Sequence, residues 1–167
     1  AKGKCFSAGV DVGEHMGDLV TKMIEVFHGM FRLIDRLGIP TVASVYGSCL
    51  GGGCELAIFC DLVIASEGAK FGQPEIQVGV FPPIAAQIMP RIMGRKDAMD
   101  LILSGRTLSA EEARGMRLIN KVVKEEDVMS AAMDFGQRMA NGPTIAISWT
   151  KVAVNKILKH YVNLVLD

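Results

Sequence analysis

The sequence has no excess of charge of either sign: among its 167 residues, 18 Lys and Arg balance 18 Asp and Glu. Proteins that bind nucleic acid or anionic membranes through a general electrostatic field carry a basic surplus. The sequence also lacks an apolar run of about 20 residues, the length that a membrane-spanning helix needs. We therefore expect neither nucleic acid nor a membrane as a partner.

Cysteine is sparse, and the four cysteines, Cys5, Cys49, Cys54 and Cys60, form no C-x-x-C pair. Their spacing fits no zinc ribbon, so we interpret them as small buried apolar side chains. No trio of His and carboxylate residues suggests a metal site. Because a signal peptide is also lacking, we expect a metal-free protein of the reducing cytoplasm.

The familiar nucleotide-binding motifs are missing as well. The run of three glycines at residues 51–53 is followed by Cys54 and Glu55. It therefore has neither the Gly-Lys-Ser/Thr of a P-loop nor the G-x-G-x-x-G spacing of a dinucleotide site.

What the sequence does contain is an alternation of strand and helix patterns. Residues 14–37 place apolar side chains at steps of three and four, which predicts a long helix ended by Gly38 and Pro40. "TVASVYG", "DLVIAS" and "LINKVV" predict short buried strands. Further helices are predicted at about 84–93, at about 96–104, from the capping box "SAEE" at Ser109, and twice more before the end. This order is α/β.

The glycine triplet lies where a predicted strand meets a predicted helix. The first N–H groups of a helix lack intrahelical partners, and glycine lets a ligand approach them closely. On its own the triplet is equally consistent with a tightly packed turn. Likewise, Glu55 alone could be an ordinary first-turn acid, and Glu75 in "FGQPE" an acid on a surface loop. Together with a backbone donor near Val10, however, they are the parts needed to stabilise an enolate and move the protons of water.

Four segments, "FSAGVD", "GSCLGGGCELAIFCDLVIAS", "AKFGQPEIQVG" and "LSGRTLSAEEARGMRLINKVV", resemble the crotonase (enoyl-CoA hydratase/isomerase) superfamily in order and spacing. The resemblance implies a crotonase-like (ClpP/crotonase) ββα spiral in a single domain of residues 1–167. We expect the spiral core at about residues 1–123 and a C-terminal helical part at about 124–167, both flanked by family segments that this chain does not include.

The resemblance also implies site residues. Val10 and Gly52 are expected to form the oxyanion hole for a thioester oxygen, and Glu55 and Glu75 to be the catalytic acids that handle water. The substrate, an acyl-CoA, carries its own coenzyme A, so no further cofactor is expected. The chain is expected to assemble with copies of itself, as a trimer or dimer of trimers. The remaining expected contacts to substrate or coenzyme A are Ala8, Asp11, Val12, Gly51, Pro74 and Pro83.

Two segments depart from the family pattern. Pro82 and Pro83 stand where typical family hydratases have glycines, and Gly13 stands where they have a lysine, so Lys2 or Lys4 is expected to contact the phosphates of coenzyme A. "FSAGVDVGEHMGDLV" together with "FPPIAA" is similar to the cyclohexa-1,5-diene-1-carbonyl-CoA hydratases of anaerobic aromatic degradation.

Three functions remain open at this point. The paired acids favour hydration of an α,β-unsaturated acyl-CoA, including a cyclic dienoyl-CoA. The alternatives are another crotonase reaction, such as double-bond isomerisation, and a non-catalytic binding or scaffold protein of the same fold.

Overall fold

A computed structural model describes residues 3–11, 13 and 19–166, with side chains up to residue 156. The helices are α1 (Leu19–Arg36), α2 (Gly52–Phe59), α3 (Pro83–Ile92), α4 (Arg95–Ser104), α5 (Ala110–Gly115), α6 (Val128–Ala140) and α7 (Thr144–Leu166). The strands are β1 (Val42–Val45), β2 (Ser48–Leu50), β3 (Leu62–Ser66), β4 (Lys70–Gly72), β5 (Thr107–Ser109) and β6 (Lys121–Val123). Short 3-10 helices cover Pro74–Val78 and Glu125–Asp127.

The strands form two small sheets. One sheet has the order β1-β3-β6, with parallel pairing throughout, and the other has the order β2-β4-β5. In the second sheet β2 and β4 are parallel, whereas β5 is antiparallel to β4. Two successive turns of the chain each add one strand to each sheet and then a helix, first β1-β2-α2 and then β3-β4-α3. This repeat is the ββα spiral that the resemblance implied.

The main core lies where α1, α2 and α3 cover the two sheets. Phe31, Phe71, Ile84, Met89, Leu101 and Leu108 are its largest apolar side chains, and each is at most 1% exposed. Strand β3 carries consecutive buried residues from Val63 to Ser66 because it is the central strand of its sheet and is covered on both faces.

Most of the predicted elements are confirmed. The helix after the glycines, the helices at 83–92 and 95–104 and the strands β1, β3 and β6 lie where the sequence predicted them. Helix α1 ends at Arg36, and residues 14–18 of its predicted start lie outside the described residues. The Ser109 capping box is present, with Ser109 Oγ accepting from the Glu112 N–H and the Glu112 carboxylate accepting from the Ser109 N–H.

Two interpretations need correction. The segment "CFSAGVD" at residues 5–11 predicts a strand followed by a turn, but among the described residues before α1 the only β pairing is a parallel bridge from Ser7 to Cys49. Cys49 and Cys54 are fully buried as expected, but Cys5 and Cys60 are only half-buried. All four are free thiols. In the part of the chain that the structure describes, no helix has the length and apolar character needed to cross a membrane.

A partly buried ion pair attaches α7 to the core. Lys151 Nζ lies 2.8 Å from Asp61 Oδ2 and donates to the Ile39 carbonyl at 2.8 Å. The Thr41 N–H and hydroxyl also donate to Asp61 Oδ2, at 2.7 and 2.8 Å. Burial alone would raise the pKa of Asp61, but the bonds from Lys151 and Thr41 outweigh it and hold that pKa below its usual range.

We predict that Lys151→Met lowers the free energy of unfolding by about 2–3 kcal/mol, because it leaves a partly buried carboxylate without its cation. Lys156→Met is the matched control, since Lys156 lies on the same helix but is exposed. Urea unfolding of both variants measures the difference. Equal stabilities would show that the ion pair does not hold α7 in place.

Candidate active site

The site forms where three neighbouring chain segments leave one edge of the second sheet. Strand β2 pairs with β4 in register Leu50 to Gly72, and Ser7 bridges to Cys49 on the other side. Both pairings are parallel, so residues 8–10, 51–55 and 73–75 emerge side by side at the carboxyl ends. Ligand sites in open parallel sheets lie at such ends.

Close backbone contacts hold these segments together. The Leu50 N–H donates to the Ser7 carbonyl, and the Ser7 N–H donates to the Ser48 carbonyl. A Cβ on Gly53 would lie 2.6 Å from both Ser7 Cβ and the Ser7 carbonyl oxygen. Only a glycine therefore allows the start of α2 to approach the first segment this closely.

Gly51 also needs to be a glycine, for a different reason. Gly51 has φ +54°, in the left-handed region, and its N–H donates to the Gly72 carbonyl at 3.0 Å. A Cβ on Gly51 would lie 2.8 Å from Glu75 Oε1 and 3.8 Å from the Ala8 carbonyl oxygen. The glycine thus leaves room for the Glu75 carboxylate beside the backbone.

Two expected oxyanion donors lie next to each other. Gly52 is the first residue of α2, so its N–H has no intrahelical acceptor. Val10 Cγ2 lies 3.4 Å from the position of a Cβ on Gly52, and a Cβ on Gly9 would lie 3.2 Å from Gly52 N. Among the described residues, no backbone acceptor is found for the N–H of either Val10 or Gly52. Both donors are therefore available to a ligand oxygen.

Glu55 lies one turn into α2 and is only 2% exposed. Its Oε1 accepts from the N–H groups of Ile84 and Ala85, at 2.9 and 2.8 Å. These are the first free N–H groups of α3, because Pro83 has none. Burial raises the pKa of Glu55 to about 7, with a further increase from the charge of Glu75, while the two N–H bonds act in the opposite direction.

Glu75 lies on the 3-10 helix Pro74–Val78 rather than in an irregular loop, and it is half-buried. Gln73, which is fully buried, orients its amide to donate to Glu75 Oε2 at 3.0 Å and to Oε1 at 3.1 Å. Gln73 is a site residue that the sequence reasoning missed, although it stands inside the quoted segment "FGQPE". The signal was a polar residue directly after a buried strand.

The other predicted residues are less closely connected. Pro74 begins the 3-10 helix and Pro83 begins α3, and both are half-buried. Asp11 is exposed, and its Oδ1 accepts from the Gly13 N–H at 2.7 Å. Val12 lies outside the described residues, as does Lys2, while Lys4 is exposed.

The arrangement combines two free backbone donors with two carboxylates whose charges interact. Backbone donors of this kind stabilise a developing oxyanion. Neighbouring carboxylates with different environments can divide proton donation and acceptance between them. Among the described residues, no group of three or more His, Cys, Asp or Glu side chains could hold a metal ion.

Comparison with known proteins identifies the family. The sequence model described as enoyl-CoA hydratase/isomerase matches residues 1–164. The chain belongs to this family.

Individual relatives agree with the family match. A Rhizobium meliloti protein named "Probable enoyl-CoA hydratase" is 41% identical over 158 residues, covering 93% of this chain and 62% of that protein. The "Cyclohexa-1,5-dienecarbonyl-CoA hydratase" of Thauera aromatica is 41% identical over 133 residues, covering 80% of this chain and 51% of that protein.

The fold comparison confirms the crotonase-like α/β architecture. A solved enoyl-CoA hydratase from Bacillus anthracis superposes with a TM-score of 0.86 at 30% identity, covering 91% of this chain and 60% of that one. This chain spans about three-fifths of the length of the Rhizobium meliloti relative and of a similar relative from Mycobacterium bovis.

We predict that Gly53→Ala lowers the free energy of unfolding by about 1–3 kcal/mol, because its Cβ would push the start of α2 away from Ser7. Gly136→Ala, in the exposed part of α6, is the matched control, since a Cβ there meets nothing within 4 Å. That control should gain stability by about 0.5–1 kcal/mol. Urea unfolding gives both values. A change in the free energy of unfolding of the same sign in both variants would contradict the close approach of Gly53 to Ser7.

The raised pKa of Glu55 predicts a pH-dependent stability. Its pKa lies above the ordinary value of 4.5, so the folded state binds the proton more tightly than the unfolded chain does. Stability relative to Glu55→Gln should be highest below pH 4.5 and should fall by about 3 kcal/mol as the pH rises through 7. Urea unfolding of both proteins from pH 4 to 8 measures this. Parallel stability curves would mean that Glu55 is not buried as described.

Proposed function

We propose that the protein adds water across the α,β double bond of an acyl-CoA thioester. The observation that carries this proposal is the contact between Glu75 and the glycine turn. Glu75 Oε1 occupies the space beside Gly51 that a side chain would fill. The carboxylate therefore lies one residue from the oxyanion donor Gly52. An acid in this place can act on the carbon atoms next to a bound carbonyl.

In this mechanism, the thioester oxygen accepts hydrogen bonds from the N–H groups of Val10 and Gly52. These bonds stabilise the enolate that forms when the β-carbon is attacked. Preorganised main-chain donors suit this task because they require no reorganisation during the reaction, and the Val10 side chain does not interfere with its own N–H.

The two glutamates supply and remove the protons. One carboxylate takes a proton from water as the hydroxyl oxygen bonds to the β-carbon, and the other carboxyl gives its proton to the α-carbon. The pair begins and ends the cycle with a single proton, so water contributes one hydroxyl and, in net, one proton. The raised pKa of Glu55 supports this role, because one member of the pair then holds a proton near neutral pH.

The acyl group is proposed to be a short or cyclic unsaturated one, including a cyclic dienoyl group. The similarity to the Thauera aromatica protein named for such a substrate supports this proposal. So does the rigid segment before α3, where Pro82 is buried and Pro83 begins the helix that binds Glu55. We propose no cofactor beyond the coenzyme A of the substrate, and a trimer or dimer of trimers as the assembly.

We predict that the purified protein hydrates crotonyl-CoA or a cyclic dienoyl-CoA, measured as loss of the ultraviolet absorbance of the conjugated thioester. Glu55→Gln and Glu75→Gln should each lower kcat by at least about 100-fold, because each removes one proton-transfer group. Glu67→Gln is the matched control, since Glu67 is exposed on the turn after β3.

Two outcomes would reject the mechanism. One is the absence of hydration with every unsaturated thioester tested, and the other is full activity in both glutamine variants. Formation of a shifted double bond instead of a hydroxyl group would identify isomerisation as the reaction. A preference for crotonyl-CoA over the cyclic diene would reject only the cyclic substrate.

A further inference from the structure

Three aromatic rings form a continuous row from α1 to α2. Phe27 and Phe31 lie one turn apart on α1, with ring centroids 4.9 Å apart in an edge-on arrangement. Phe31 makes the same kind of contact with Phe59, at the end of α2, again at 4.9 Å. Phe31 is fully buried, so the middle of the row is fixed by the core.

One end of this row lies at the proposed oxyanion hole. A Cβ on Gly52 would meet Phe27 Cζ at 2.9 Å and Cε2 at 3.0 Å, and the Val10 side chain lies on the same side. The Phe27 ring therefore packs against the backbone of Gly52, the residue whose N–H is proposed to bind the thioester oxygen. The acyl carbons nearest that oxygen would then lie close to the Phe27 ring.

The other end of the row lines a cavity of about 660 Å³. Phe59 forms part of its wall, together with Ile88 and Ile92 of α3 and residues of α6 and α7 that include Phe135 and Ile147. The walls are mostly apolar side chains, which suits a hydrocarbon chain.

The cavity begins about one helical turn behind the paired acids. Phe59 follows Glu55 by four residues on α2, and Ile88 follows Ile84, whose N–H binds Glu55, by four residues on α3. Four residues of helix span about 6 Å. Site and cavity are thus close neighbours, and the phenylalanine row lies between them.

We propose that the row of Phe27, Phe31 and Phe59 is the wall that ends the acyl pocket, and that it selects compact acyl groups by keeping longer chains out of the cavity. This inference rests on the proposed function, because it assumes that an acyl thioester binds at Val10 and Gly52. It assigns Phe27 as a specificity-determining residue for that substrate.

The test compares binding of butyryl-CoA and decanoyl-CoA by isothermal titration calorimetry. Both thioesters are saturated, so no hydration can occur. The Kd ratio of decanoyl-CoA to butyryl-CoA should be high in the parent protein. It should fall by about tenfold or more in Phe27→Ala, because each buried methylene strengthens binding about fourfold. Phe27→Leu should give an intermediate ratio, and it replaces the alanine variant if that one does not fold.

Phe135→Ala is the matched control, because it enlarges the cavity from the far side without opening the row. Its ratio should equal that of the parent protein. An unchanged ratio in the Phe27 variants, or a parent protein that already prefers decanoyl-CoA, would overturn the inference. Thioester binding without any hydration would overturn the proposed function and still leave the ratios decisive. Absence of all thioester binding would overturn both.

Discussion

The close approach of three backbone segments at the edge of the second sheet is the constraint on which the rest of the structure depends. Parallel pairing brings Ser7, Cys49 and Phe71 into neighbouring positions, so the segments that follow them must emerge together. Side chains at residues 51–53 would keep those segments apart. Glycine removes that obstacle, and the cost in backbone entropy is offset by the hydrogen bonds and the surrounding buried core. The donors, the acids and the aromatic row all take their places from this junction.

Burial and hydrogen bonding shift the pKa of Glu55 in opposite directions, and the effect of burial is the larger. The apolar surroundings favour the neutral acid, whereas the two N–H groups at the start of α3 favour the carboxylate. Glu75 has a different environment, with a buried amide donor from Gln73 and only partial burial. Two chemically identical groups are thus made unequal by their surroundings, as proton transfer in both directions requires.

Much of this arrangement could be predicted from the sequence, and the remainder shows where such reasoning stops. The glycine triplet, the two glutamates and the long elements carry local signals, in backbone freedom, spacing or apolar periodicity. Strands β2 and β5 have three residues each, too few to show an alternation, and they lack the longer apolar segment, "LINKVV", that predicted the equally short β6. Phe27 looked like any other apolar residue on α1, because only tertiary packing distinguishes the neighbour of Gly52 from an ordinary core residue. Gln73, in contrast, did carry a local signal, because it is a polar residue directly after a buried strand.

The hydrogen bonds of Glu55 to Ile84 and Ala85 also affect how this position can change in evolution. The Glu55 carboxylate that is proposed to transfer a proton also caps the start of α3, so the residue has two independent reasons to be retained. A descendant that no longer needed the reaction would still need an acceptor at residue 55 to keep the start of α3 in place. Drift there should therefore lead first to glutamine rather than to an apolar residue.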